Sequence, residues 1–425
     1  MLDINYIRKY PEVVRENLKR RKVPEYLTFL DNALELDSKW RELKREVDAL
    51  RARRNALSQD INKAKKEGAD ATTLIQEASK LPKKLEEREA ELSDLQEKLK
   101  LCLYNIPNLV HDSVPYGKDD TENEVVKVVG EKPAYKFKPK SHVDLLELWK
   151  LADIKRAAKI SGARWAFLKG KLVILEQALI NYAIDFLSKK GFEPITPPHM
   201  MLKTAYEGVT SLEDFESVMY KIAGEDLYAI ATSEHPLTAM WNNEVLTESE
   251  LPIKLAGYSM CFRKEAGTHG KDTKGIFRVH QFNKVEQLIV CKPEESWDLH
   301  EELLENAAEF FESLGLHFRI VNICTGDLGM VAAKKYDIEA WYPVQNAYRE
   351  VVSCSNCTSY QAVRSNIRYE HEGKREYVHT LNSTCVATTR ALAAIMENFQ
   401  DERGVIHIPQ ALQKYTGFKT IGGEE

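Results

Sequence analysis

Two runs of residues spaced alternately four and three apart constrain this chain more than any other feature. The first reads Leu36, Trp40, Leu43, Val47, Leu50, Arg54, Leu57, Ile61, Ala64. The second reads Leu74, Ala78, Leu81, Leu85, Arg88, Leu92, Leu95, Leu99, Cys102. A seam of this period pairs helices side by side. Between the runs, Lys66-Glu67-Gly68-Ala69-Asp70 reads as a helix stop followed by a cap. The expectation is an antiparallel coiled-coil arm over about 36–102, each helix about 31 residues and roughly 45 Å long. Pro82 falls inside the second helix and is expected to kink it or to cost about 3 kcal/mol.

Charge on this arm is lopsided. Residues 36–66 hold ten Lys/Arg against five Asp/Glu, and residues 70–102 hold six against eight. A solvated surface with complementary flanks explains this, and so does a rod that offers one basic face to phosphates. The whole chain hides the asymmetry: 60 basic against 65 acidic residues give a net charge of -5. Its 425 residues are enough for two or three domains. No apolar run approaches the ~18 residues of a membrane helix. The N-terminus MLDINYIRKYPEVV has no apolar signal core, and seven scattered cysteines form no disulfide scaffold. A soluble cytoplasmic protein is expected.

Before the arm, residues 1–30 hold a short amphipathic stretch and a basic knot at Lys19-Arg20-Arg21-Lys22, closed by Pro24. After it, 106–140 is rich in Pro, Gly, Asp and Asn and reads as a linker. Residues 141–425 then become globular. Helical stretches at 144–158, 171–190, 294–315 and 387–400 alternate with β-rich runs at 217–231, 276–291, 316–323 and 347–353. Several strands follow one another without intervening helices. The expected class is therefore α+β, an antiparallel sheet flanked by helices, preceded by the coiled-coil arm.

Neither a GxxxxGK[ST] loop nor a GxGxxG after a strand occurs, so any nucleotide is held by another device. The stretch 257–286 is the densest in chemistry. Phe262-Arg263-Lys264-Glu265 leads into a loop rich in Gly, Lys and Thr, and Arg278-Val279-His280-Gln281-Phe282-Asn283-Lys284-Val285-Glu286 returns. Alternation places Arg278, His280, Phe282, Lys284 and Glu286 on one face. Arginine suits a two-point grip on phosphate, and Phe282 offers a flat surface for a base. An ordinary charged hairpin reads almost as well. Further on, Leu381 to Arg390 is rich in small residues and precedes an apolar helix. Thr232-Ser233-Glu234 and Glu350-Val351-Val352-Ser353 are weak signals when read alone, because a helix cap looks the same.

Together these segments resemble the three motifs of class II aminoacyl-tRNA synthetases, and specifically the seryl-tRNA synthetase family. Gly191-Phe-Glu-Pro-Ile-Thr-Pro-Pro198 resembles the first motif, FRKE with RVHQFNKVE the second, and the stretch ending in Arg390 the third. The arm, the TSE triplet and the EVVS segment fall in the family's order. The resemblance implies activation of L-serine by ATP and transfer to the 3′-OH of the serine tRNA, with the selenocysteine tRNA as a further candidate substrate. It implies a homodimer built on the first motif, and Mg²⁺ at Glu350 and Ser353.

It also implies residue roles. Arg263 would grip the α-phosphate and the serine carboxylate, with Lys264 beside it, and Glu265 would hold the adenine amino group. Phe282 and Arg390 would sandwich the adenine, Arg278 would hold the triphosphate tail, and Val279, Val351 and Val352 would pack nearby. Thr232, Ser233 and Glu234 would receive the serine amino group. Glu286 and Thr384, with Asn382 alongside, would meet its hydroxyl.

The third motif departs from the family pattern, with Ser383, Cys385 and Thr389 where glycines are common. Cys354-Ser-Asn-Cys357 looks like half a zinc site, but no second half stands at ligand spacing, and no zinc is expected. A ligase of the same fold that charges a carrier protein is the alternative, disfavoured by the arm. A non-catalytic RNA-binding scaffold is disfavoured by the presence of Arg263, Arg278, Glu286 and Arg390.

Overall fold

A computed structural model describes residues 1–211, 218–265 and 274–423. The chain divides into two compact units, Leu2–Pro107 and Asn108–Glu425.

In the first unit, α1 (Ile4–Lys9) and α2 (Pro11–Lys19) precede the long helices α3 (Pro24–Glu67) and α4 (Thr72–Tyr104). Both seams hold. Leu43, Val47, Leu57, Leu81, Leu85 and Leu99 are buried, the other seam positions are partly buried, and Arg54 alone is exposed. Helix α3 is longer than its heptad foretold, because Pro24 opens the helix and does not close the preceding knot. Its fixed φ and missing N–H suit the first helical position. The periodicity also runs back through Leu30 and Ala33 to Asp37, whose buried carboxylate breaks the apolar pattern. Arg8 grips that carboxylate at two points, 2.9 and 2.8 Å, and Arg41 adds a third bond at 3.0 Å. Helix α4 runs through Pro82, which lies exposed, as one helix of 33 residues. Arg51 with Glu89 and Arg53 with Glu77 pair across the hairpin, each at 2.7 Å, so part of the basic excess is matched locally.

The second unit is built on an eight-stranded sheet. Its strands in chain order are β1 (Glu124–Val129), β2 (Glu193–Ile195), β3 (Ile253–Phe262), β4 (Gln281–Cys291), β5 (Phe318–Asn322), β6 (Lys334–Tyr342), β7 (Ala347–Asn356) and β8 (His379–Ala387). Their spatial order is β1-β5-β6-β7-β8-β4-β3-β2, antiparallel throughout except for the β2–β3 pair. Helices α5 (Lys171–Lys189), α6 (Ser296–Ser313) and α7 (Thr388–Asn398) pack on the sheet in one continuous apolar core. Gly191, at φ +86°, ends α5. Its left-handed backbone lets Phe192 N–H reach Leu187 and Gly191 N–H reach Ser188, closing the helix carbonyls.

Four expectations need correction. Residues 106–140 are not a bare linker: β1 pairs with β5, and Val110 and Val114 pack against Val321, Ile323 and Leu328. The helix expected at 144–158 is two helices, His142–Leu148 and Ile154–Ser161, because Asp153 caps the second. The run expected at 217–231, whose first residue lies outside the described residues, yields only Leu227–Ala229. In the run at 276–291 the strand begins at Gln281.

Candidate active site

The sheet face opposite the α5–α7 core carries a cavity of about 240 Å³. Its walls come from the ends of β3 and β4, the middle of β7 and β8, the Thr232–Glu234 turn and the first turn of α7.

Strand alternation accounts for the β4 part of this convergence. On β4, Phe282, Lys284 and Glu286 point into the cavity, while Val285 and Ile289 point into the core. Two β-bulges add the lining residues of β7 and β8. Strand β7 pairs Glu350 with Glu339 and Val352 with Ile338, so Val351 is an extra residue. Residues three apart on a regular strand face opposite sides, yet Glu350 and Ser353 both line the cavity because Val351 resets the alternation. Strand β8 pairs Thr384 with Glu286 and Val386 with Val285, leaving Cys385 as the extra residue. Asn382, Thr384 and Ala387 thereby share the cavity face, while Cys385 and Val386 enter the core. The departures from glycine in the third motif are absorbed here: Ser383 and Cys385 are fully buried, and Thr389 lines the cavity.

The phosphate-binding candidates lie along one side. Arg263 follows β3, with its Nε–H donating to the Ala231 carbonyl at 3.3 Å and its guanidinium over the Phe282 ring at 5.3 Å. Arg278 pairs with Glu265 at 3.0 Å. Arg390 pairs with Glu350 at 3.1 Å and lies over Phe277 at 5.5 Å. Arg263 thus lies directly over Phe282, and Arg390 over Phe277. Phe277 had no place among the sequence candidates, and Lys284 stood on the candidate face without an assigned role; both line the cavity. Burial pushes the Glu350 carboxyl up, but Arg390, Lys335 and Arg263 outweigh it and hold it below the ordinary carboxylate range.

The far end is more enclosed. Glu234 starts the short helix Glu234–Ala239 and accepts from Gln361 at 3.0 Å. Burial, then the neighbouring Glu286, pushes its carboxyl up to about 7, with Lys284, Gln361 and Arg263 opposing. Thr384 Oγ1–H donates to Glu286 Oε2 at 3.2 Å. Ser233 faces away: its hydroxyl donates to the Gly257 carbonyl at 3.1 Å and holds the turn against β3. A Cβ at Gly257 would sit 2.5 Å from Leu237 and 2.8 Å from Ser233 Oγ, so only glycine permits this approach.

Val279 and Val351 line the cavity, Val351 also packing in the core, whereas Val352 packs in the core and does not reach the cavity. Lys264 is placed outside the wall, with its N–H bonded to the Val218 carbonyl. His280 is likewise drawn aside, its Nδ1 lying 2.8 Å from the Arg263 carbonyl. Most of the Gly-, Lys- and Thr-rich loop, 266–273, lies outside the described residues. Cys354 and Cys357 are both buried, and burial pushes their thiols up, as it does for inert packing cysteines. Among the described residues no group of three or more His, Cys, Asp or Glu is arranged to hold a metal ion.

Comparison with known proteins adds to this geometry. Residues 1–110 match the model of the seryl-tRNA synthetase N-terminal domain, and 218–399 match the tRNA synthetase class II core domain (G, H, P, S and T). A serine–tRNA ligase from Methanoregula boonei is 53% identical over 418 residues, 98% of each chain. This chain belongs to the seryl-tRNA synthetase family.

Seryl-tRNA synthetase from Pyrococcus horikoshii, solved complexed with ATP, superposes with a TM-score of 0.93 at 48% identity over 100% of both chains. The cytoplasmic serine–tRNA ligase of Naegleria fowleri, in complex with AMP, gives 0.87 at 38% identity, covering 100% of this chain and 99% of that one. A seryl-tRNA synthetase is an ATP-dependent aminoacyl-tRNA ligase, and the carrier-protein alternative is not favoured. No described helix is long and apolar enough to cross a membrane.

Proposed function

We propose that the cavity on β4, β7 and β8 forms seryl-adenylate, and that the serine then passes to the 3′-OH of the tRNA's terminal adenosine. The observation that carries this reading is the polarity of the cavity. Three arginines, Arg263, Arg278 and Arg390, line one side, and two carboxylates, the half-buried Glu234 and the buried Glu286, stand at the other end. Such a cavity suits a polyphosphate along one wall and an ammonium-bearing hydroxy amino acid at its end.

Adenylation asks for position and charge more than for a base. A carboxylate oxygen of serine attacks the α-phosphorus, the bond to the bridging oxygen breaks, and diphosphate leaves. Arg263 would neutralise the charge that develops at the α-phosphate, while Arg278 and Arg390 hold the departing end. Glu265 and Phe282 would locate the base. Glu350, ionised at neutral pH, and the Ser353 hydroxyl share one wall and offer the hard oxygen ligands that suit Mg²⁺. Bound there, the ion would offset phosphate charge. In the second step the ribose hydroxyl attacks the acyl carbon and AMP leaves.

At the amino-acid end, Thr232 and Glu234 would receive the ammonium, and Glu286 and Thr384 the hydroxyl, with Asn382 alongside. Serine-dependent exchange of diphosphate into ATP tests the reading directly. Serine should support exchange and alanine should not, because alanine brings no hydroxyl to the open Oε1 of Glu286. Equal rates with both would overturn it.

The elevated pKa of Glu234 predicts a pH dependence. Only the ionised carboxylate attracts an ammonium, and with its pKa near 7 the charged fraction falls as pH drops below that value. The kcat/KM for serine should decline about tenfold between pH 8 and pH 6, and Glu234→Gln should be low and flat across the range. A wild-type profile level down to about pH 5 would remove Glu234 from ammonium recognition.

We further propose that the basic face of α3 binds tRNA, that α5 supports a homodimer through its exposed Val173 and Ile174, and that the enzyme works in the cytoplasm.

A further inference from the structure

Lys284 stands in the middle of β4, opposite Ser259 on β3 and Ala387 on β8. Both neighbours are small. The long side chain therefore turns along its own strand, and its ammonium meets Glu286 Oε2 at 2.5 Å, two residues on and on the same face. The two side chains are only 7% and 2% exposed. Thr384 Oγ1–H donates to that same oxygen at 3.2 Å. Glu286 Oε1 has no hydrogen-bond partner among the described residues, although the residue lines the cavity.

We propose that Lys284 is a positioning residue for amino-acid selection: with Thr384 it pins Glu286 Oε2, so that Oε1 is presented to the substrate hydroxyl. This rests on the reading of Glu286 as the hydroxyl's partner. The reason is electrostatic. Glu286 is buried beside Glu234, and the Lys284 ammonium offsets the repulsion between these two neighbouring carboxylates. Lys284 and Arg263 supply two positive charges against the two negative ones, so the pocket is neutral before a zwitterion enters. Without the ammonium, Oε2 would keep only the Thr384 bond, and the carboxylate would be free to turn Oε1 away from the substrate hydroxyl.

The test is Lys284→Met in the full-length enzyme, read by diphosphate exchange with serine and with alanine. The KM for serine should rise, and the serine-over-alanine ratio of kcat/KM should fall, roughly tenfold to hundredfold. The KM for ATP should stay within about threefold of wild type, and Lys284→Arg should restore most of the ratio. A merely structural ion pair would move Tm and both KM values together and leave the ratio intact, and that result overturns the proposal. Should Lys284→Met not fold, Lys284→Gln is read by the same criteria. Glu286→Gln separates the two layers of argument. If it preserves the ratio, the hydroxyl reading itself fails. If it destroys the ratio while Lys284→Met does not, only the role of Lys284 fails.

Discussion

Arg263→Ala should lower serine-dependent diphosphate exchange by about 10²- to 10⁴-fold in kcat, the range seen when a preorganised donor to a reacting phosphate or oxyanion is removed. The side chain is preorganised. Its backbone N–H bonds the His280 carbonyl at 2.9 Å, its Nε–H bonds Ala231 at 3.3 Å, and its guanidinium lies on Phe282. Little reordering is needed when charge develops at the α-phosphorus, which is why the effect belongs in kcat. Lys at this position keeps the charge but loses the fork, and should recover only part of the rate. Binding of tRNA to the variant should be unchanged, since the basic helix is untouched. Normal exchange by Arg263→Ala would take this residue out of the mechanism.

The second large effect concerns the arm. Replacing 45–91 with a short Gly-Ser turn should leave diphosphate exchange within about threefold of wild type and lower aminoacylation of tRNA by at least about 10³-fold. The cut follows the cross-hairpin pairs, Glu46 with Arg88 and Arg51 with Glu89, so both helices end at matching heights. It also spares Asp37 and its bonds to Arg8 and Arg41, which tie α1 to α3. The exposed cations on α3, among them Arg45, Arg54, Lys63, Lys65 and Lys66, then account for a steep loss of tRNA affinity with salt in the intact enzyme. Charging that survives the deletion would show that the arm is not the tRNA contact.

The arm was legible because one seam of constant spacing specifies a helix, its partner and their register at once. Its start was not, because Asp37 occupies a core position with a charge whose partner, Arg8, lies 29 residues away. Strands β1 and β6 were missed for a related reason: Lys127, Lys334, Lys335 and Asp337 interrupt their apolar alternation. In the cavity, the residues that sit within quotable motifs all came to notice, and most of them converge. Lys284 stood on the face that alternation marks but was given no role, and Phe277 was passed over because a phenylalanine before Arg278 carries no signal until the chain is folded. Ser233, Lys264 and Val352 were included through adjacency alone, and none of them lines the cavity.

The extra residues Val351 and Cys385 make the active site depend on counting. Neither side chain has chemistry to contribute, and replacing either with another apolar residue of similar size would leave the cavity wall in place. Deleting either is a different operation. A chain one residue shorter at 351 keeps Glu350 and Ser353 in its sequence but can no longer show both to the same side of the sheet, and a chain shorter at 385 parts Thr384 from the Ala387 turn that leads to Arg390. Substitution scans are blind to this kind of information. Single-residue length variants read it, and the activity they lose belongs to no side chain.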